Sequence, residues 1–278
     1  MNARATHDAP GSGLIELSHV AGRTTVTRMR ATAPLKLLAP RHHARCASVF
    51  TSTFGGGLVA GDHVDLHFRA RAGTTCWLGT QASTKVYKSR AGVGASQSLH
   101  AVVEPGATLF SFPDPVTCFA GARYEQRQRF DVEPGGGLVA LDWYTSGRKA
   151  HGERWAFDRY AARTDVFVAG DHVLADAVLL DSAQGPHDSK FHTGGFDCFA
   201  TLAIVGQPVA CLAEQVLAAV NAEPLAKSMS PLSGVSPLRG GIILRLAGEG
   251  PEAVARYLRR HLYGVEELLG DDPWARKW

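Results

Sequence analysis

Twelve histidines make metal chemistry the first possibility to weigh in this chain. His42 and His43 are adjacent, His63 and His67 lie four apart, and His187 and His192 five apart. A spacing of four places two ligands on one helix face. Around His63, however, Val64, Leu66 and Phe68 alternate with Asp65, His67 and Arg69, which is a strand pattern. Four strand residues span roughly 13 Å, too far for both rings to bind one ion. His63 and Asp65, two apart, could offer one nitrogen and one oxygen, with no third ligand near them in sequence. Scattered surface histidines are therefore expected, with a transient nickel or zinc contact left open. Nucleophilic catalysis finds no better footing. G-x-S-x-G is absent, and Ser146-Gly147-Arg148 lacks its context. Cys76 and Cys118 sit among apolar residues and read as small buried hydrophobes. Gly55-Gly56-Gly57 is followed by a strand pattern and not by Lys-Ser/Thr opening a helix, so it is no phosphate cradle.

The more suggestive residues are Asp62, Lys85, Tyr87, Arg148 and Glu153, each near a glycine-bounded turn. Gly55, Gly56, Gly61, Gly147 and Gly152 are the expected turn positions. Lys85 and Arg148 could pair with Asp62 or Glu153. Such a set could be an ion-pair network that holds the turns. It could equally be a polar surface or channel for a partner or an ion, or an active-site Lys–Tyr pair. The stretch Thr80–Tyr87 is unusual in the same way. It offers a donor or acceptor at most positions, yet lacks the Gly and Pro of a plain turn.

Short strands must position these residues. Alternation over 64–69, bounded by glycine turns, predicts half-buried antiparallel strands. Strands are also expected at 14–17, 24–29, 34–38, 46–54, 74–78, 164–168, 173–180, 199–205 and 241–246. The segments at 70–81, 103–114 and 132–143 resemble one another, each a glycine-centred turn followed by large apolar residues. Their aligned glycines, Gly73, Gly106 and Gly135, recur roughly every 30 residues. The matches are too loose to predict a regular solenoid. They favour stacked hairpins over a parallel α/β sheet. Ala-Gly-Asp-His-Val occurs twice, at 60–64 and 169–173, each time as a turn entering a strand. Helical periodicity appears late. Val209, Leu212, Val216, Leu217 and Val220 form one stripe. A second helix over Glu252–Leu269 carries Val254, Leu258, Leu262 and Val265 or Leu269, with Pro251 suited to its first turn. Residues 182–193 and 224–237 are expected as loops. The predicted fold is mainly β, layered or stacked β-hairpins in a β-helix-like arrangement, with two α-helices near the C-terminus. Residues 1–13 are expected to be a disordered tail and 14–278 a single domain.

Composition narrows the function classes. A chain of 278 residues, 45% hydrophobic and 20% charged, has ordinary globular composition and enough length for a sizeable core. A net charge of +3 is weak for a nucleic-acid binder. Arg256, Arg259 and Arg260 read as the solvated face of a helix. Five cysteines, odd in number and without CxxC, argue against a disulfide framework and predict a reducing, cytoplasmic setting. The first residues lack the apolar core of a secretory signal, and no run approaches the ~18 apolar residues of a membrane span.

Four ordered motifs, GGGLVAGD (55–62), TQASTKVYKS (80–89), PDPVTCFAGARYEQ (113–126) and GRKAHGERW (147–155), resemble the urease accessory protein UreD family, called UreH in some organisms. The likeness runs from about Leu14 to Trp278. It includes GRTTVTRMR, APLKLLAP, PLRGGIILRLAG and the closing PWARKW. The resemblance implies a non-enzymatic, β-rich scaffold for nickel insertion into apo-urease. Its partners would be a UreF-type helical protein, a UreG-type nickel GTPase and apo-urease, with a dimer within that complex allowed. Ni2+ would be in transit through an internal water-filled tunnel, with no cofactor tightly held. Asp62, Lys85, Tyr87, Arg148, Gly152 and Glu153 fall on the family's motif positions, and Asp62, Asp142 and Glu153 would suit a route for a divalent ion. Two departures stand out. Ala60 replaces a usual glycine, and LFSFPDP lacks a Glu-Trp that often precedes the family's Leu-Pro. The competing expectations are a β-rich metal-dependent enzyme and a generic protein-binding module.

Overall fold

The computed structural model describes residues 9–40, 45–224 and 230–274. The chain opens with β1 (Ser12–Val20), β2 (Arg23–Ala31), β3 (Leu35–Leu38), β4 (Ala47–Thr53), β5 (His63–Ala70) and β6 (Thr75–Thr80). Then come β7 (Thr84–Val86), β8 (Ala95–Val103), β9 (Thr108–Phe112), β10 (Val116–Cys118), β11 (Arg123–Val132) and β12 (Gly137–Thr145). A hairpin of β13 (Arg159–Val168) and β14 (Asp171–Asp181) follows, then the short α1 (Lys190–Thr193) and β15 (Cys198–Gly206). The last part holds α2 (Ala210–Asn221), β16 (Leu232–Leu238), β17 (Gly241–Gly248), α3 (Pro251–His261) and α4 (Val265–Leu269).

Two sheets face each other. The seven-stranded sheet runs β14-β13-β11-β8-β5-β1-β2. The ten-stranded sheet runs β16-β17-β15-β12-β9-β6-β4-β3, with β10 and β7 attached beside β12. Consecutive strands such as β5 and β6 lie in different sheets, and each pairs in parallel with its counterpart one coil on: β5 with β8, β8 with β11, and β6 with β9, β9 with β12. The β-helix-like stacking holds. The expected hairpins and antiparallel pairing inside it do not, because each glycine turn carries the chain across to the other sheet. Gly73, Gly106 and Gly135 are those turns, at φ of +72°, +70° and +81°. The Gly73 N–H donates to Pro105 O at 3.3 Å and the Gly106 N–H to Gly135 O at 2.9 Å, so the turns stack directly on one another. The loose sequence repeat is a regular three-coil stack. At Ala169-Gly170 the chain turns back instead, and β14 caps the sheet antiparallel to β13.

Burial explains why the strands read differently. β5 alternates because one face meets solvent. β9 and β12 are nearly continuously apolar because their sheet is covered on both faces. Leu138 and Ala140 face the seven-stranded sheet, and Val139 and Leu141 face a second core under α2 and α3. The first helical stripe is buried as expected, through Leu212, Val216 and Val220. The second helix is not continuous. It breaks after His261 and resumes at Val265, and that break lets Leu262 and Val265 both reach the second core. The expected loop over 224–237 contains edge strand β16, where Pro237 is tolerated because one side is unpaired. Its residues 225–229 lie outside the described part. Of the expected N-terminal tail, residues 1–8 also lie outside it. Gly11 is tied by its N–H to Ala33 O at 2.8 Å, and β1 begins at Ser12.

Candidate functional site

Five of the six residues singled out from sequence lie at one end of the coils, and the sixth lies between the sheets. At the end, Asp62 serves its own turn: its Oδ2 accepts the Val59 N–H at 2.8 Å. It pairs with neither Lys85 nor Arg148. Lys85 is exposed on β7. Arg148 and Glu153 do pair, with the Nε donating to Oε2 at 2.8 Å and Nη2 donating to Oε1. Glu153 Oε2 also accepts the Ala120 N–H at 3.1 Å. The Arg148 hydrogen bonds hold the Glu153 carboxyl below the usual carboxylate range. The guanidinium lies 4.0 Å from the Phe119 ring centroid, and Tyr87 meets the same ring edge-on at 5.1 Å.

Glycine shapes this corner. At Gly147, φ is +105°, and a Cβ would fall 2.8 Å from Cys118 O and 2.7 Å from Glu153 O. No side chain fits there, and the loop carrying Arg148 closes tightly against β10. Gly55, Gly56, Gly61 and Gly152 also sit in turns with positive φ. The result is an open cleft of about 1060 Å³ walled by Val59, Tyr87, Lys88, Arg90, Phe119 and the Arg148–Glu153 pair.

Asp142 belongs elsewhere. On β12 it follows Leu138 and Ala140 on the inward face, so its carboxylate points between the sheets. Gln126 Nε2 donates to its Oδ1 at 2.8 Å, and Thr164 also hydrogen-bonds to it. Tyr124 donates to Gln126 Oε1 at 3.1 Å, and Gln128 donates to Thr164 at 3.4 Å. The Tyr160 hydroxyl is buried in the same interior, with no hydrogen-bond partner among the described residues. Burial pushes the Asp142 carboxyl up to about 6; the Gln126 hydrogen bond opposes the rise and the nearby Asp176 charge adds to it. Asp176 itself pairs with Arg245 at 2.8 Å. Asp142 is half-buried, and the surface it keeps borders a partly open cavity of about 90 Å³. That cavity shares Thr51, Thr80, Thr84 and Gln97 with a smaller one reaching Gly56 and Ser83. It shares Asp114 and Trp143 with a groove of about 340 Å³ beside Pro251 and Arg256.

Reading the sequence missed the interior glutamines. Their signal was present: Tyr124, Gln126, Gln128 and Phe130 share one face of a strand that is otherwise apolar inward. The interior also accounts for the polar run after Thr80, since Thr80 and Thr84 line it. Among the described residues no three His, Cys, Asp or Glu side chains are grouped to hold a metal ion. His63 contacts Ser96 at 2.8 Å, and His67 lies 3.3 Å from Asp65 on the outer face. His42 and His43 lie outside the described residues. Nor, among the described residues, is any helix long and apolar enough to cross a membrane.

Fold and site together define a two-sheet β-solenoid with a polar interior and a helical flank. The family model for the UreD urease accessory protein matches residues 10–278, and the chain belongs to that family. It is 46% identical over 269 residues to the urease accessory protein UreD of Sorangium cellulosum, covering 96% of this chain and 84% of that one. The Anaeromyxobacter sp. UreD is 43% identical over 266 residues, 96% and 89% of the two chains. Urease accessory protein D of Arabidopsis thaliana is 32% identical over 293 residues, 95% and 99% of the two.

Proposed function

We propose that this urease accessory protein is a non-enzymatic scaffold for nickel insertion into apo-urease, and that Ni2+ travels between its two sheets past Asp142. The observation that carries the reading is a partly buried carboxylate with amide and hydroxyl partners, bordering a cavity between the sheets. A buried charge is costly unless something compensates it. The Arg245 guanidinium is taken by Asp176, which leaves Asp142 able to meet a passing cation. Oxygen ligands from carboxylate, amide and hydroxyl groups hold such an ion loosely, where thiolates would trap it. The buried Cys76 and Cys118 thiols stay protonated, because burial raises both.

In this reading a UreF-type helical protein and a UreG-type nickel GTPase deliver the ion from one side and apo-urease accepts it on the other, in the cytoplasm. The test is genetic. A strain lacking this protein should still make urease, but the purified urease should contain little nickel. Normal nickel content in that strain would refute the proposal.

A further inference from the structure

We infer that the cleft beside Phe119 is a docking surface for an acidic, partly apolar segment of a protein partner, and that it lies off the path of the cation. This goes beyond the nickel-route reading and depends on it only in expecting a protein partner at all.

Charge points the same way. The cleft walls carry Lys88, Arg90 and Arg148 against one carboxylate, Glu153. Both oxygens of Glu153 are occupied by Arg148, and one also by the Ala120 N–H. Lys88 and Arg90 are exposed, and no described residue pairs with either. A divalent cation entering here would meet uncompensated positive charge, whereas a carboxylate would find two open partners.

The Lys88 stem and the Arg90 backbone are fixed. The Lys88 stem lies over Gly121, where a Cβ would come 3.2 Å from its Cγ and 3.3 Å from its Cε. Arg90 opens a tight turn through Ala91 (φ 49°) and Gly92 (φ 76°), closed by the Val93 N–H to Arg90 O at 2.9 Å. Ordering the Lys88 side chain on binding therefore costs less entropy than ordering a free one. The cleft is also lined by the Phe119 and Tyr87 rings, packed edge-on against each other. Val59 lines it too, 52% exposed and with no place in either core. A ligand that satisfies this surface needs both carboxylates and apolar side chains.

Other occupants fit less well. The cleft, at about 1060 Å³, is far larger than one small anion requires. Duplex nucleic acid is commonly held by roughly 6–10 phosphate contacts, against two open cations here.

The experiment uses the full chain and fluorescence anisotropy at low ionic strength, with a fluorescein-labelled peptide of repeated Glu-Glu-Leu-Phe. Binding should weaken about tenfold or more when Lys88→Ala and Arg90→Ala are combined, about 1.4 kcal/mol or more. It should weaken similarly when Gln replaces Glu in the peptide. Arg23→Ala, on the far edge strand β2, should leave it unchanged. A Lys88→Glu, Arg90→Glu protein should instead take up a Lys-Lys-Leu-Phe peptide, which a merely structural role would not produce. Unaltered binding by the double variant, or equal binding of the Gln peptide, would overturn the inference. So would tighter binding of oligouridylate that the same variant abolishes, since the surface would then be a nucleic-acid site. The assay contains neither nickel nor urease, so it can fail while the nickel route stands, and the converse also holds.

Discussion

Asp142 and Glu153 are both carboxylates near polar turns in the sequence, yet their surroundings give them opposite properties. Glu153 is neutralised by Arg148 at the surface, so it stays ionised and structural. Among the described residues no cation pairs with Asp142, and burial raises its carboxyl from 3.8 to about 6. The sign of the linkage follows. A folded-state value above the unfolded one means that ionisation opposes folding. The penalty is absent below about pH 4, grows as pH rises through 6, and is complete above it. For a shift of about two units it is on the order of 3 kcal/mol. Asp142→Asn should therefore raise the thermal midpoint at pH 8 and leave it nearly unchanged at pH 4. The same variant should deliver nickel to urease poorly, since a neutral amide compensates a cation less well. An equal gain in midpoint at both pH values would contradict a buried, ionised Asp142.

Turns set the geometry at the scale of elements. The stacked glycines at 73, 106 and 135 keep successive coils in register, and Gly147 does the same for the cleft. Gly147→Ala must place a Cβ within 3 Å of two carbonyl oxygens at a φ of +105°. Backbone strain of that kind costs on the order of 1–3 kcal/mol. The expected result is a lower thermal midpoint together with loss of the Glu-Glu-Leu-Phe peptide affinity, because the loop carrying Arg148 must move away from Phe119. Gly152→Ala, with open space around its Cβ position, should carry only the conformational strain and keep more of that affinity.

The ten-stranded sheet is shared by two cores, and this governs the behaviour of the whole molecule. Leu109 is buried between the sheets, and Leu212 is buried under the helices. Truncation of either to Ala should cost roughly 2–5 kcal/mol. Because strands such as β12 contribute residues to both cores, urea unfolding should remain a single transition in both variants. A biphasic curve in which Leu212→Ala shifts only one limb would show that the helical flank unfolds on its own.

Local chemistry was readable from the sequence because it is local. Turn glycines, the alternation of β5, the stripe through Leu212 and Val216, and the repeat at 70, 103 and 132 all depend on neighbours a few residues away. The Arg148–Glu153 pair, five residues apart in one tight loop, was foreseeable for the same reason. Strand direction was not. A half-buried strand shows the same alternation whether its partner runs parallel or antiparallel, so whether a glycine turn folds back or crosses to the opposite sheet is decided by packing between coils. The interior glutamines were hidden likewise: Gln126 is an ordinary polar residue until Asp142, 16 positions further on, is folded against it, and so is Gln128 until Thr164, 36 positions on, meets it. Only the closing of two sheets over one another gathers those scattered side chains into a polar interior and leaves the basic cleft outside it.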